Sequence, residues 1–306
     1  MNQLCVITTY FNPCNYKTRR SNYDIFVEGL RKVGVNYITV ECAFGDDAFD
    51  LPDSINVIKI RSQSLLWQKE RLLNLAASWL PESCQYVAWL DCDIIFDNLN
   101  WAKNLITVLQ QHKVAQVFET CLRRNENNIL NGTLDIVNSF ALVTSKQANC
   151  MTKERYDAHG HTGYGWAMHR NIFDGLGLYE HAISGSADHF MAHAIFNSYG
   201  FCVDNALKHD AKQIQHFVDW GNKFYTLVKG SLGVVPGRIQ HLWHGETANR
   251  SYFTRMHDIT NLGYDPYEDL SIVPGRPIEW SASFNKPKLA AYFGHYFYSR
   301  LEDGNL

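Results

Sequence analysis

Five apolar residues, Tyr86-Val-Ala-Trp-Leu90, end abruptly in Asp91-Cys92-Asp93. An apolar run without alternation reads as a short strand buried on both faces, and such strands belong to sheets covered by helices on both sides. Ligands in open α/β sheets bind outside the carboxyl ends of the strands. Two carboxylates at i and i+2 on extended backbone project to the same side. They are placed to share one hard divalent cation, and Mg²⁺ or Mn²⁺ held in this way keeps open positions for phosphate oxygens. A bare Asp-x-Asp arises by chance about once in a chain of this length. The strand before it is what gives the motif weight; the plainer reading is a polar strand end with a capping aspartate.

The flanking sequence points to the same class. Leu4–Tyr10 is a β-rich run ending in the turn-like Asn12-Pro13, and Tyr23–Val33 has helical spacing closed near Gly34. Val35–Cys42 reads as strand, and Ile55–Ile60 alternates apolar and polar residues after the turn signal Pro52-Asp53. Leu65–Leu80 is a helix candidate stopped by Pro81. Strands alternating with helices predict a mostly parallel sheet with helices on its faces. Farther on, Val114–Phe118 and Ile136–Thr144 read as strands and Ala187–Tyr199 as a helix. A short strand over Ile239–Trp243 precedes a helix over Ala248–Thr260. Leu289–Leu301 is apolar and aromatic at helical spacing, which predicts that it packs back onto the body. No repeat, low-complexity tract or linker divides the chain. Residues 1–306 therefore read as one domain, with a first half over 1–120, a second over 121–260 and a C-terminal helical segment over 261–306.

The residues are 46% apolar and 19% charged, enough for a core and too apolar for a disordered chain. Twenty-eight Lys and Arg against 31 Asp and Glu leave a net charge of −3, which argues against non-specific polyanion binding as the main task. No apolar run approaches the ~18 residues that a membrane span needs. The opening MNQLCVITTYFNPC lacks a basic n-region and a small-residue cleavage site, so it reads as a first strand rather than a signal peptide. Eight cysteines form no C-x-x-C pair and several sit in apolar runs, which predicts free core thiols in a reduced, cytoplasmic protein.

Further constellations stand beside the two aspartates. Gln240-His-Leu-Trp-His244-Gly245 is aromatic and His-rich, and an imidazole there would complete a metal sphere of mixed N and O ligands. Spacing ranks neither His241 nor His244 first, and a buried Trp/His cluster is the plainer reading. Arg250, Tyr252 and Arg255 follow and would face phosphates if the segment lies over the same cleft. Ser184-Gly-Ser-Ala-Asp188 leads into a helical pattern, so Asp188 is a cap or, beside a binding cleft, a general base. His189 and His193 share a helix face in a manner that suits a metal, but Phe190 stands where the zinc-protease pattern needs Glu. Lys17, Arg19 and Arg20 follow an early loop from which arginines reach a diphosphate. Lys69, Arg71 and Asn74 lie in a helix whose inner face would contact ribose or phosphate, although adjacent charges usually mean exposure. No P-loop, dinucleotide fingerprint or nucleophile elbow is present.

Taken in order, the Asp91-Cys-Asp93 strand end, the Gly185–Asp188 stretch and His241-Leu-Trp-His244-Gly245 resemble the metal-dependent glycosyltransferases of the GT-A fold. The resemblance is to those that pair an Asp-x-Asp motif with a late His-x-x-His-Gly segment, and it spans Val6 to about Arg255. It implies an α/β fold with a Rossmann-type nucleotide-binding sheet, helices on both faces and a fused acceptor-binding half. It implies Mn²⁺ or Mg²⁺ on the diphosphate of a nucleotide sugar, held by Asp91 and Asp93, the second as direct ligand, and completed by His244. It places Thr8, Thr9, Tyr10 and Arg20 on the nucleotide and Glu41 at its base. Asp188 matches the acid near the acceptor, and Gly163-Tyr-Gly165-Trp166 the aromatic loop lining the sugar. One departure is that a single acid, Asp188, follows the Gly-rich stretch where galactosyltransferase-type enzymes often carry two or three.

The implied reaction moves a sugar from a UDP- or GDP-type donor to an acceptor hydroxyl, with a divalent cation neutralising the leaving diphosphate. A glycan acceptor is expected before a hydroxymethylated DNA base, because Lys17, Arg19, Arg20, Arg123 and Arg124 are the only visible basic clusters. Two other readings compete. A sugar-nucleotide nucleotidyltransferase would release pyrophosphate, but the Gly-rich, basic N-terminal loop of such enzymes is missing. A non-catalytic carbohydrate-binding protein would use the 8 Trp, 16 Tyr and 17 Phe for stacking.

Overall fold

The run Tyr86–Leu90 is a strand in the middle of a seven-stranded sheet. The computed structural model describes residues 2–127, 135–147, 158–200, 207, 210–252 and 254–304. The sheet is built from β1 (Leu4–Tyr10), β2 (Asn36–Phe44), β3 (Val57–Ser62), β4 (Tyr86–Leu90), β6 (Val114–Gln116), β9 (Gly165–His169) and β10 (Leu232–Val234). Its order is β10-β6-β9-β4-β1-β2-β3. Neighbours are parallel except at β9, which runs against both β4 and β6. The mostly parallel sheet expected from the sequence is present, with one reversed strand inside it.

Both faces of this sheet are covered. Leu4, Val6 and Tyr10 of β1 pack with Tyr23, Phe26 and Leu30 of α1 (Lys17–Val33) and with Trp101 and Leu105 of α3 (Trp101–Leu109). Cys5 and Ile7 point to the opposite core. There they join apolar residues of α2 (Lys69–Ala77), α4 (Phe140–Lys146), α5 (Arg170–Leu176), α6 (Ala187–Ile195), α7 (Ala211–Val228), α8 (Arg255–Asn261) and α9 (Pro287–Ser299). A strand with a core on each side has no solvent face, which is why β4 is apolar throughout.

From β1 the chain steps outward to β2 and β3, then returns to the far side of β1 as β4. Connections that leave neighbouring strands in opposite directions open a crevice at the carboxyl ends. Asp91 and Asp93 sit at that crevice. A second sheet, ordered β5-β11-β7-β8, stands beside it: β5 (Ile94–Phe96), β7 (Thr120–Arg123), β8 (Asp135–Asn138) and β11 (Arg238–His241). β5 begins directly after Asp93 and pairs antiparallel with β11, with His241 opposite Ile94 and the Leu242 N–H on the Asp93 carbonyl at 2.8 Å. A hairpin of β12 (Leu270–Ile272) and β13 (Ile278–Trp280) completes the strands.

Local chemistry redraws three expected elements. Ile136–Thr144 is not one strand: β8 stops at Asn138, and Ser139 caps α4 by accepting from the Leu142 N–H at 3.1 Å. Its β-branched residues favoured strand, but a serine N-cap decides the backbone. Ala248–Thr260 splits into a 3-10 turn over Thr247–Arg250 and α8. Helix α1 begins six residues before the expected Tyr23, at Lys17. The expected return of the C-terminal segment is present, since Leu289, Phe293 and Phe297 of α9 are buried in the main core. Among the described residues six cysteines are free thiols, and no helix is long and apolar enough to cross a membrane.

Candidate active site

A cavity of about 900 Å³ opens at the crevice. It is lined by Thr9 and Phe11 at the end of β1, by Asp91 to Asp93, by Lys69 and Glu70 at the start of α2, and by Asp188 of α6. His241 and His244 also line it, as do Arg19, Arg123, Arg250, Arg255 and Arg300. This size suits a small-molecule ligand.

The two aspartates take different partners. Asp91 accepts from the Tyr164 N–H at 3.2 Å, returns its own N–H to the Tyr164 carbonyl at 2.8 Å, and lies 2.7 Å from Lys69 Nζ. Tyr164 adopts φ 77°, a left-handed conformation that costs a bulky residue about 1–3 kcal/mol. Its surroundings hold it there: the ring stacks on His161 at 4.2 Å, and its hydroxyl accepts from Arg123 Nε at 2.9 Å.

Asp93 turns instead to the histidines. His244 Nε2 lies 3.1 Å from Asp93 Oδ2, and His241 Nε2 lies 3.7 Å from Oδ1. Ligand atoms of the three side chains fall within 4.8 Å of one another. Burial, reinforced by the Asp91 charge, pushes the Asp93 carboxyl up to about 7. Burial and Arg250 hold His244 down to about 3, and burial and its neighbour His244 hold His241 well below the usual imidazole range. Both rings are therefore neutral, so these contacts are not ion pairs. Asp93 Oδ1 is buried with no hydrogen-bond partner among the described residues. Two neutral imidazoles and an orphaned carboxylate oxygen fit a divalent ion of the first transition row.

Behind His244 lies a charged layer supplied by the chain's last segment. Glu302, 1% exposed, meets Arg19 at 3.2 Å, Arg300 at 2.7 Å and Arg250 at 3.8 Å, and stands 3.7 Å from His244 Nδ1. Burial would raise its pKa, but Arg19, Arg300 and Arg250 outweigh burial and hold the carboxylate well below its ordinary value. Arg250 also donates to His244 Nδ1 and to the His244 carbonyl. Gly245 is needed beside them: at φ 91° a Cβ there would stand 2.7 Å from the Leu301 carbonyl oxygen.

On the opposite wall Lys69 Nζ joins Asp91 to Asp188, at 2.7 and 2.9 Å. Asp188 lies in the first turn of α6 rather than at its cap, which is Ser186. Gly185, at φ 96°, lets the Arg255 guanidinium pass where a Cβ would meet it at 2.9 Å. Burial raises the Asp188 pKa, and Lys69 opposes the rise.

Of the residues singled out in the sequence, the fold brings Thr9, Lys69, Asp91, Asp93, Asp188 and His244 to the cavity. His241, His189, Tyr164, Arg19, Arg250 and Arg255 line it as well, whereas Thr8, Tyr10, Arg20, Glu41, Asn74 and Trp166 have structural partners and do not. Thr8 donates to the Leu90 carbonyl at 2.7 Å, joining β1 to β4. The Tyr10 hydroxyl binds Asp50. Arg20 pairs with Asp24 at 3.0 Å, while its neighbour Arg19 lines the cavity. Glu41 accepts from the backbone of Asp50 and Leu51. Asn74 ties α2 to Leu178 and Glu180. Trp166 is buried, with its indole N–H on the Thr162 carbonyl at 2.7 Å. Arg300 and Glu302 escaped sequence reasoning. Their one signal was a charged Arg-x-Glu at the end of an aromatic helix.

No family model matches the chain, and no curated protein matches it. Among solved structures, it is similar to Drosophila beta1,4-galactosyltransferase 7 in complex with manganese, UDP-Gal and xylobiose. That similarity is 11% identity over 94% of this chain and 98% of the other, with a TM-score of 0.42. It is also similar to 4-diphosphocytidyl-2C-methyl-D-erythritol synthase of Anaerococcus prevotii, at 10% identity over 76% and 86% of the two chains, TM-score 0.37. A glycosyltransferase involved in glycosylation of the major capsid of PBCV-1 matches at 10% identity over 95% and 98%, TM-score 0.29.

Proposed function

We propose that this chain is a metal-dependent glycosyltransferase of GT-A type, moving a sugar from a nucleoside-diphosphate donor to an acceptor hydroxyl. The observation that carries the reading is the convergence of Asp93, His241 and His244 within 4.8 Å, at the carboxyl end of β4, in a cavity rimmed by arginines. The orphaned Asp93 Oδ1 beside two imidazoles supports a site completed by a cation. Two nitrogen ligands favour Mn²⁺ over Mg²⁺, which prefers oxygen. When bound, the ion supplies Lewis acidity toward the leaving diphosphate.

The chain's own groups do the rest. Arg250 donates to His244 Nδ1 in this structure, which puts the ring proton on Nε2; ligation through Nε2 would move that proton to Nδ1, toward Glu302 3.7 Å away. Arg250 then keeps the His244 carbonyl and Glu302 as acceptors. Arg19 and Arg250, which line the cavity, would neutralise charge on the departing phosphates. The C1–O bond to the β-phosphate breaks with its electron pair on the phosphate, and the acceptor oxygen bonds to C1. In an inverting reaction the acceptor's proton passes to Asp188, whose Oδ2 is held by Lys69. Asp91 acts through Lys69 and Tyr164, keeping this wall in register with the metal wall. A glycan acceptor fits better than DNA because basic residues outside the donor site are occupied internally: Arg20 by Asp24, Arg123 by Tyr164 and Arg124 by Gln240.

A thermal-shift panel of UDP- and GDP-sugars, with and without Mn²⁺, tests the reading. One nucleotide class should stabilise the protein only with the ion, and Asp93→Ala should abolish that shift. Asp188→Asn should keep donor binding while lowering transfer by about 10²-fold or more. Stabilisation that ignores the metal, or survives Asp93→Ala, overturns the proposal. Pyrophosphate release from a nucleoside triphosphate would indicate the nucleotidyltransferase instead.

A further inference from the structure

Next to Asp188 in sequence begins a group of three buried histidines. His189 and His193 are one turn apart on α6, and His159 comes from the segment that leads into β9. One ring nitrogen of each lies within 4.8 Å of the other two. Ring centroids are 4.5 Å apart for His189 and His193, 5.3 Å for His159 and His193, and 5.4 Å for His159 and His189.

Hydrogen bonding fixes two of the tautomers. A carbonyl oxygen only accepts, so His159 Nδ1, 2.9 Å from the Gly160 oxygen, carries a proton. His193 Nδ1, 2.7 Å from the Ser198 oxygen, does the same. Neutral imidazole has one N–H, so the lone pair on each of these rings is on Nε2. Histidines that ligate metals are oriented in this way, with the second nitrogen donating to a backbone carbonyl. Three imidazolium charges in so small a buried volume would repel one another. A divalent ion turns the same convergence into an attraction.

We propose that His159, His189 and His193 form a second metal site, of the three-histidine type that takes Zn²⁺. An all-nitrogen set suits a borderline-soft ion and offers nothing to Mg²⁺. His159 and His189 also line the cavity, so a fourth ligand would have access to the ion from that side. The ion would clamp α6 to the segment before β9 and so fix Asp188, the residue next to His189. This goes beyond the glycosyl-transfer reading and does not need it.

Chelator-treated protein titrated with Co²⁺, a coloured probe for Zn²⁺, tests the site. Wild type should bind two equivalents, one giving the intense visible bands of a tetrahedral ion. Asp93→Ala should lose one equivalent and keep those bands. His193→Gln and His159→Gln should each lose the bands and keep the other equivalent, with circular dichroism reporting whether the fold is intact. If either variant unfolds, the Asp93→Ala titration still decides. Absence of tetrahedral bands in both wild type and Asp93→Ala, or their survival in a folded histidine variant, overturns the proposal. Because the bands are read in Asp93→Ala, failure here is separable from failure of the donor-binding test.

Discussion

Lys69 sets one ammonium between two carboxylates, and the residue after it meets the opposite fate. Burial alone would lower the Lys69 pKa, but Asp188 and Asp91 outweigh burial and hold it well above its usual value. Burial pushes the Glu70 carboxyl up to about 8, with Lys69 only partly opposing the rise. A raised carboxyl pKa means that folding favours the protonated form. Its stabilisation is whole below the ordinary value of 4.5 and is lost as pH rises to about 8. Glu70→Gln keeps the neutral form at every pH. Its stability relative to wild type should therefore grow across that window, by up to about 1.4 kcal/mol per pH unit, in denaturation curves. An offset that stays constant with pH would refute the assignment. At this scale the sequence revealed chemistry better than direction. Asp93 and His244 were legible because an apolar strand and a His-x-x-His-Gly segment carry them to the crevice. Glu41, Asn74 and Trp166 have the right chemistry for a nucleotide site but spend it on backbone and side-chain partners elsewhere.

Helix α1 draws its cap from the other end of the chain. Tyr16, at its N-cap position, makes no side-chain capping bond; Asp303 accepts from the N–H groups of Lys17 and Thr18 at 2.9 and 2.8 Å. The carboxylate also complements the positive end of the helix dipole. Asp303→Ala should lower stability by about 1 kcal/mol in chemical denaturation. An unchanged midpoint would show the contact to be idle. The C-terminal end of α1 was readable, since Gly34 at φ 68° closes it through bonds to Leu30 and Arg31. The start was not, because the capping residue is distant in sequence. Likewise the apolar runs announced β1, β2 and β4, but β9 was not read as a strand: Gly165 and Trp166, expected in an aromatic loop, lie in it, antiparallel to β4 and β6. The long helix α7 was legible in principle, since its cap is local: Asp210 accepts from the Gln213 N–H at 2.8 Å.

Across the whole molecule, the segment after α9 joins the two walls of the metal centre. It reaches Arg19 near the start and Arg250 beside the histidines, and its backbone crosses Gly245. Gly245→Ala must push that backbone aside. A left-handed alanine at a close approach should cost about 1–3 kcal/mol and displace Glu302. Calorimetric Mn²⁺ titration should then show weaker binding, with the histidines themselves untouched. Full Mn²⁺ affinity in a folded Gly245→Ala protein would refute this coupling. The α/β class and the position of the crevice were legible from periodicity; this closure was not, because a buried Glu amid three arginines has no local pattern. Time on the ribosome gives the closure another meaning. More than two hundred residues separate Asp93 from Glu302. At ordinary translation speeds, that gap lasts on the order of 10–40 s. Until the closing stretch emerges, Arg19 has no Glu302 to pair with.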